Sequence, residues 1–190
     1  MVKKNGIPSR EQCHALMADY AMLPNIAAHS VMVMEVALAI TDNVISGVEI
    51  DRELVAAASL LHDITKTRSL RTNEWHSVTG GRLLRELGYA AVAEIVEQHV
   101  TIGEIDPYGA LEEREIVYYA DKRVLHDRIV TIEDRLNDLV ERYGTTPEIR
   151  RLILENRGTV LAIERKIAGF LRSDLHQVVD DLRSLWQVLE

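Results

Sequence analysis

The sequence has little of what a disulfide scaffold, a β-rich fold or a membrane anchor requires. Its one cysteine, Cys13, cannot form an intramolecular disulfide, and it excludes a zinc site built from several thiolates. Aromatic residues make up 5% of the chain, and strand-like alternation of β-branched and polar residues is missing. No run approaches the roughly 20 apolar residues of a membrane-spanning helix. We therefore expect a soluble protein of the reducing cytoplasm.

Positive charge is also scarce. The 190 residues include 22 Lys and Arg against 30 Asp and Glu, which gives a formal net charge of -8 at pH 7. A surface of this sign is unsuited to nucleic acid or anionic lipid, so we expect neither a nucleic-acid polymer nor a membrane as partner. An anionic substrate would need a local cluster of positive charge. A bound metal ion could supply it.

Apolar residues recur at intervals of three and four along the whole chain, which predicts an all-α fold. Ser9 and Gln12 have the spacing of a capping box and predict the start of a first helix. A second helix is predicted to run from Pro24 to about Ser46. Asp51 is placed to cap a third helix, which covers "RELVAAASLLHDI".

Later boundaries follow from the same signals. We expect a loop through Arg71 and Asn73, and a helix beginning near Arg114 that carries "YYADKRVLHDRI". Gly144 ends that region, and Thr146 with Pro147 begins a long helix. The chain is therefore predicted to divide into a helical domain, residues 1–144, and a C-terminal helical extension, residues 145–190. The extension would pack on the domain or on a partner subunit.

Several polar residues fall on the apolar stripes of these helices, which are the faces that a helix buries. They are His29, His62, His76, His99 and Asp121. For a single such histidine, a hydrogen-bonded core residue is the simpler interpretation. Five of them in one domain, joined by Asp63, are more economically satisfied around metal, because neutral imidazole and carboxylate are common metal ligands.

The stretch "LLHDITK" suggests how two ions could share one site. Adjacent residues on a helix point about 100° apart, so His62 could bind one ion while Asp63 bridges to a second. Lys66 lies one turn beyond His62 and could contact a substrate phosphate. An ordinary solvated lysine at a helix end is the alternative.

The order and spacing of these residues resemble the HD-domain metal-dependent phosphohydrolases with an HDIG-type motif. The similar segments are "AAHSVMV", "LLHDITK", "WHSVTGGRLLRELG", "VEQHV" and "YYADKRV". The resemblance implies an HD-domain helical bundle, here with additional C-terminal helices, and a metal site inside it. By position, the ligands of a first ion would be His29, His62, Asp63 and Asp121, and those of a second His76, His99 and bridging Asp63.

A two-metal site of this kind implies about two divalent ions per chain, with Fe, Mn, Mg, Co and Ni as candidates. Asp63 and Lys66 would take the catalytic roles. The motif's usual glycine is Thr65 here, which would either narrow the site or pack against a neighbouring helix. Lys122 and Arg123 are expected to reach solvent, with Lys122 a weak candidate for the pocket, and Trp75 is expected to pack.

The remaining histidines have no place in this order and are assigned no role: His14, His126 and His176. The resemblance implies a phosphohydrolase acting on a phosphomonoester or on a nucleotide phosphoanhydride or diester. The expected partner is thus a small phosphorylated substrate, preferably a nucleotide. Two alternatives stay open, a di-iron oxygenase of the same superfamily and a nucleotide-sensing module without turnover. A homo-oligomer is left open as well.

Overall fold

The structure is a computed structural model that describes residues 6–189. Those residues form helices and one small antiparallel hairpin, which confirms the predicted all-α fold. The helices are α1 (Arg10–Asp19), α2 (Pro24–Thr41), α3 (Arg52–Leu61), α4 (Lys66–Thr72), α5 (His76–Glu86), α6 (Ala90–Gln98), α7 (Glu113–Lys122), α8 (Ile132–Tyr143), α9 (Pro147–Gly169) and α10 (Leu175–Leu189), and the strands are β1 (Val124–Leu125) and β2 (Arg128–Ile129).

The predicted starts of α1, α3 and α9 are correct because each of these three depends on a local capping interaction. The Ser9 hydroxyl accepts a hydrogen bond from the backbone N–H of Gln12, whose side chain accepts one from the backbone N–H of Ser9. One carboxylate oxygen of Asp51 accepts bonds from the first turn of α3. Thr146 caps α9 in the same way, and Pro147 is the first residue of that helix.

Three stretches in the first half of the chain differ from the sequence prediction. Helix α3 ends at Leu61, so His62 and Asp63 lie in the turn after it and not inside the helix that was predicted to cover them. Helix α2 ends at Thr41 instead of near Ser46, and helix α4 occupies part of the predicted loop before Asn73. Helix α4 has no buried residue, and its Leu70 is 63% exposed, so its sequence carries no apolar periodicity to detect. Asn73 ends the helix in the left-handed conformation, with a φ of 55°.

The predicted helix through "YYADKRVLHDRI" is wrong beyond Lys122. The chain forms the β1–β2 hairpin there, and Val124 pairs with Ile129 across it. Both residues are buried and β-branched, which favours a strand. His126 has a φ of 56° in the turn, a conformation that a helix cannot contain.

Helix α2 lies at the centre of the fold and contacts α3, α7 and α10. By length and composition this 18-residue helix could cross a membrane, a resemblance that the sequence prediction overlooked. In the structure, however, 61% of it is buried against the rest of the protein. It is the core helix of a helical bundle, and it carries His29 into the interior.

The C-terminal helices pack on the earlier part of the chain, α9 against α7 and α8, and α10 against α2. Polar contacts add to this packing, since Lys166 of α9 forms a buried ion pair with Glu115 of α7 at 2.7 Å. The Tyr119 hydroxyl donates a hydrogen bond to Glu164 at 2.8 Å. The division of the chain at residue 144 remains a prediction.

Candidate metal centre

Six residues that the sequence singled out meet inside the bundle. His29 comes from α2, His76 is the first residue of α5, and Asp121 lies near the end of α7. The other three follow helix ends: His62 and Asp63 come directly after α3, and His99 directly after α6. Five of the six are buried, whereas the side chain of His76 is 24% exposed. The site therefore has one open side, next to His76.

The first group of donors surrounds Asp121. The Nε2 atom of His29 lies 3.0 Å from Oδ1 of Asp121, and Nε2 of His62 lies 3.8 Å from the same oxygen. Nε2 of His62 also lies 3.4 Å from Oδ2 of Asp63. His29, His62 and Asp63 each offer a ligand atom within 4.8 Å of the other two, a spacing that one ion can span.

The second group surrounds the other oxygen of Asp63. Its Oδ1 lies 3.2 Å from Nε2 of His76 and 3.4 Å from Nε2 of His99. The two imidazole Nε2 atoms are 3.1 Å apart. These three residues also keep their ligand atoms within 4.8 Å of one another. Asp63 thus directs one oxygen to each group, which is the arrangement of a bridging carboxylate.

Backbone carbonyl groups fix the orientation of three of the four imidazoles. A carbonyl oxygen only accepts hydrogen bonds, so each Nδ1 must carry its proton and Nε2 keeps its lone pair in the neutral ring. Histidines that bind metals commonly donate their second N–H in this way. The three contacts are His29 to the His126 carbonyl at 2.8 Å, His62 to Ser59 at 2.7 Å and His99 to Val96 at 2.7 Å.

Among the residues that the structure describes, the site contains buried polar atoms without a hydrogen-bond partner, which a divalent cation would pair with. Within the described residues, the buried atoms Nε2 of His62 and Oδ1 of Asp63 have no hydrogen-bond partner. Leaving a buried polar atom unpaired costs about 1 to 3 kcal/mol. The Nε2 atoms of His76 and His99, 3.1 Å apart, would share either a proton or a metal ion. Imidazole nitrogen and carboxylate oxygen are ligands for first-row divalent metals, so the donor set fits such an ion.

The protonation states also favour metal binding at most of these positions. Burial raises the pKa of Asp63, but Lys66 and His62 outweigh burial and hold this pKa well below its usual range. Burial lowers the pKa of His99 from 6.5 to about 4. Burial lowers the pKa of His62, but Asp63, Asp121 and the Ser59 carbonyl together raise it by more, so this pKa lies above its usual value. A metal ion would therefore compete with a proton at His62.

Three cationic side chains approach the two carboxylates. Lys66 Nζ lies 2.7 Å from Asp63 Oδ2 and is 25% exposed as a side chain. Lys122 Nζ lies 2.6 Å from Asp121 Oδ2. Lys122 and the next residue, Arg123, are only 5% and 4% exposed, so the expectation that they reach solvent was wrong. An Nη2 atom of Arg135 lies 3.7 Å from Asp121 Oδ1.

Sequence reasoning missed two features of this site, Arg135 and the backbone of His126. Arg135 lies three residues after buried Ile132, on the buried face of α8, so the argument applied to the histidines would have found it. His126 holds His29 through its backbone, a role that side-chain patterns cannot reveal.

The outcome for the other residues is mixed. Thr65 is buried and donates a hydrogen bond to the His76 carbonyl of α5 at 2.8 Å, in keeping with the alternative that it packs against a neighbouring helix. His14 and His176 are exposed and lie outside the donor groups, in keeping with the absence of an assigned role. Trp75 is 73% exposed, so the expectation that it packs was wrong. It precedes His76 at the open side of the site.

The chain is similar to known proteins over more than half of its length. The family model described as the HD domain matches residues 26–139. An uncharacterized protein of Methanocaldococcus jannaschii is 34% identical over 151 residues, which are 70% of this chain and 86% of that protein. The tRNA (cytidine(56)-2'-O)-methyltransferase of Picrophilus torridus is 30% identical over 151 residues, which are 72% of this chain but only 41% of that protein. No solved structure matches the chain significantly.

Proposed function

The chain belongs to the HD domain family, whose members are mostly metal-dependent hydrolases, and we propose that it hydrolyses a small phosphorylated substrate with two divalent metal ions. The observation that carries this proposal is the division of Asp63 between two donor groups, one through each oxygen. A single structural ion would need only one of these groups.

In this proposal His29, His62, Asp63 and Asp121 hold one ion, and His76, His99 and Asp63 hold the other. Bound metals of this kind lower the pKa of water and polarise a phosphoryl oxygen, so no nucleophile from the protein is needed. The backbone carbonyls behind His29, His62 and His99 keep Nε2 of each ring aimed inward. The protein's part is thus to orient ligands in a site largely closed to water.

The two most exposed members of the site indicate where a substrate would enter. Lys66 and His76 have side-chain exposures of 25% and 24%, whereas Asp63 is fully enclosed between them. Lys66 is therefore placed to contact an incoming phosphate, as a point charge beside the bridging carboxylate. The exposed ring of Trp75 next to His76 supports a substrate that carries a base, because aromatic rings stack on bases.

The first test is metal content together with phosphate release. Protein purified without a metal-affinity tag would be reconstituted with Fe, Mn, Mg, Co or Ni and examined by elemental analysis. It would then be assayed on phosphomonoesters, nucleoside polyphosphates and cyclic or linear diesters. We expect about two ions per chain and release of phosphate or nucleotide. His176→Ala serves as the matched control, because this exposed histidine lies outside the donor groups.

Two variants distinguish the binding sites of the two ions. Asp63→Ala should lose both ions or leave one weakly bound, because it removes the bridge. His76→Ala should retain the first ion and lose the second. Equal metal content in both variants and in the control would refute the two-ion assignment. Metal-loaded protein that consumes oxygen with an organic substrate and releases no phosphate would instead favour the oxygenase, and tight nucleotide binding without turnover would favour the sensing module.

A further inference from the structure

Arg135 of α8 has no place in the metal-ligand set, yet its guanidinium lies beside it. We propose that Arg135 binds the terminal phosphoryl group of the substrate, together with Lys66, and that the site prefers this doubly charged group to a phosphodiester. The inference rests on the proposed function and deepens it by naming the substrate class. It depends on the burial, hydrogen bonds and charge balance of this one side chain.

The burial of Arg135 requires a polar partner. Its side chain is 10% exposed, and a guanidinium cannot lose its charge at ordinary pH. Buried arginines are therefore found paired with anions, because an unpaired buried charge is strongly destabilising. The question is which anion pairs with Arg135.

The partners of Arg135 within the described residues leave most of its donors free. Nη1 donates to Asp138 Oδ2 at 3.1 Å, while Nη2 lies 3.7 Å from Asp121 Oδ1, beyond a good hydrogen bond. The buried Nε atom has no partner in the part of the chain that the structure describes. A guanidinium has five N–H donors in a planar fork, which matches the oxygens of a phosphate group.

Each nearby carboxylate has a counter-charge besides Arg135. Asp138 also forms an ion pair with Arg142 of the same helix, with Nε of Arg142 2.8 Å from its Oδ1. Asp121 already contacts Lys122 at 2.6 Å and His29 at 3.0 Å. These acids are therefore paired with a cation even without Arg135. This points to a ligand as the partner of Arg135.

Metal binding would increase this surplus of positive charge. Divalent ions bound by Asp63 and Asp121 would neutralise the negative charge of both carboxylates. The positive charges of Lys66, Lys122 and Arg135 would then be only partly balanced by acidic groups. A low-dielectric site with such a charge favours an anion of high charge. A terminal phosphoryl group carries about two negative charges near neutral pH, and a diester carries only one.

The test measures binding of inorganic phosphate to metal-loaded protein by titration calorimetry, with the metal content of each protein determined in parallel. The variants are Arg135→Gln, which removes the charge, and Arg135→Lys, which keeps a charge but not the fork. The matched control is Arg157→Gln, because exposed Arg157 pairs with Glu133 on the same helix as Arg135. Dimethyl phosphate serves as a singly charged comparison ligand.

We expect Arg135→Gln to weaken phosphate binding about 10- to 100-fold at unchanged metal content, as loss of a charge-assisted bond does. Arg135→Lys should weaken it less, and the control should stay within about twofold. Dimethyl phosphate should bind the wild type at least about 10-fold more weakly than phosphate. If Arg135→Gln does not fold, the comparison rests on Arg135→Lys, which should still lose affinity.

Three results would overturn the inference. The first is equal phosphate affinity in wild type and Arg135 variants, and the second is equal affinity of the wild type for phosphate and dimethyl phosphate. The third is metal loss in Arg135→Gln, which would mean that Arg135 only supports Asp121. Each of these leaves the proposed hydrolysis intact. Wild-type protein that takes up no metal would instead refute the proposed function, and this inference with it.

Discussion

The buried ion pair between α7 and α9 permits a quantitative test of the packing that holds Asp121 in place. Lys166 Nζ lies 2.7 Å from Glu115 Oε1, and the side chains are 3% and 1% exposed. The other oxygen of Glu115 accepts one hydrogen bond, from the backbone N–H of Glu112 at 3.0 Å. Lys166→Met keeps most of the length of the side chain but removes its charge, so the Glu115 carboxylate would remain buried with that single bond.

Breaking a buried pair by removing one partner costs about 3 to 5 kcal/mol in the free energy of unfolding, because an uncompensated charge stays in the interior. For a chain of this size, each kcal/mol corresponds to a shift of about 2 to 4 °C in Tm. We therefore expect Lys166→Met to lower Tm by roughly 6 to 20 °C. Adding Glu115→Gln should recover at least half of the loss, since the amide is neutral and still accepts from Glu112.

The assays are thermal unfolding and urea unfolding of both variants and the wild type, each in excess chelator so that metal affinity does not enter the comparison. The three proteins should differ in midpoint and share the slope m. A loss of less than about 1 kcal/mol in Lys166→Met would refute the reasoning, since that is the range of a solvated surface pair. A double variant less stable than Lys166→Met would refute it as well.

Three further predictions concern other parts of the fold. Thr65→Val should lower the affinity of the second ion about 10- to 100-fold while sparing the first, because it removes the bond to the His76 carbonyl; equal affinities by metal titration would contradict this. Asp51→Ala should destabilise the protein by about 1 kcal/mol in urea unfolding, since the α3 cap is lost, whereas an effect near zero would show that the cap contributes little. Burial raises the pKa of Cys13 to about 12, so its thiol should resist an aromatic disulfide reagent at pH 8 until the protein unfolds; rapid reaction of the folded protein would contradict this.

The sequence by itself determined the helical class, most helix starts and the set of candidate ligands. These are local properties. A cap such as Ser9 or Asp51 bonds to residues two or three positions away, so the signal is complete within one turn. His29 and His99 were found because apolar periodicity identifies the buried face of a helix without knowledge of its neighbours.

Only the tertiary structure decided which of these faces meet and which charges surround them. The two oxygens of Asp63 serve different donor groups because α2, α5, α6 and α7 converge on the turn after α3, and no spacing along the chain encodes that convergence. Burial of Lys122 and Arg135 depends in the same way on long-range packing. Solvent exposure is a property of the assembled core, whereas periodicity reports only the preference of each segment.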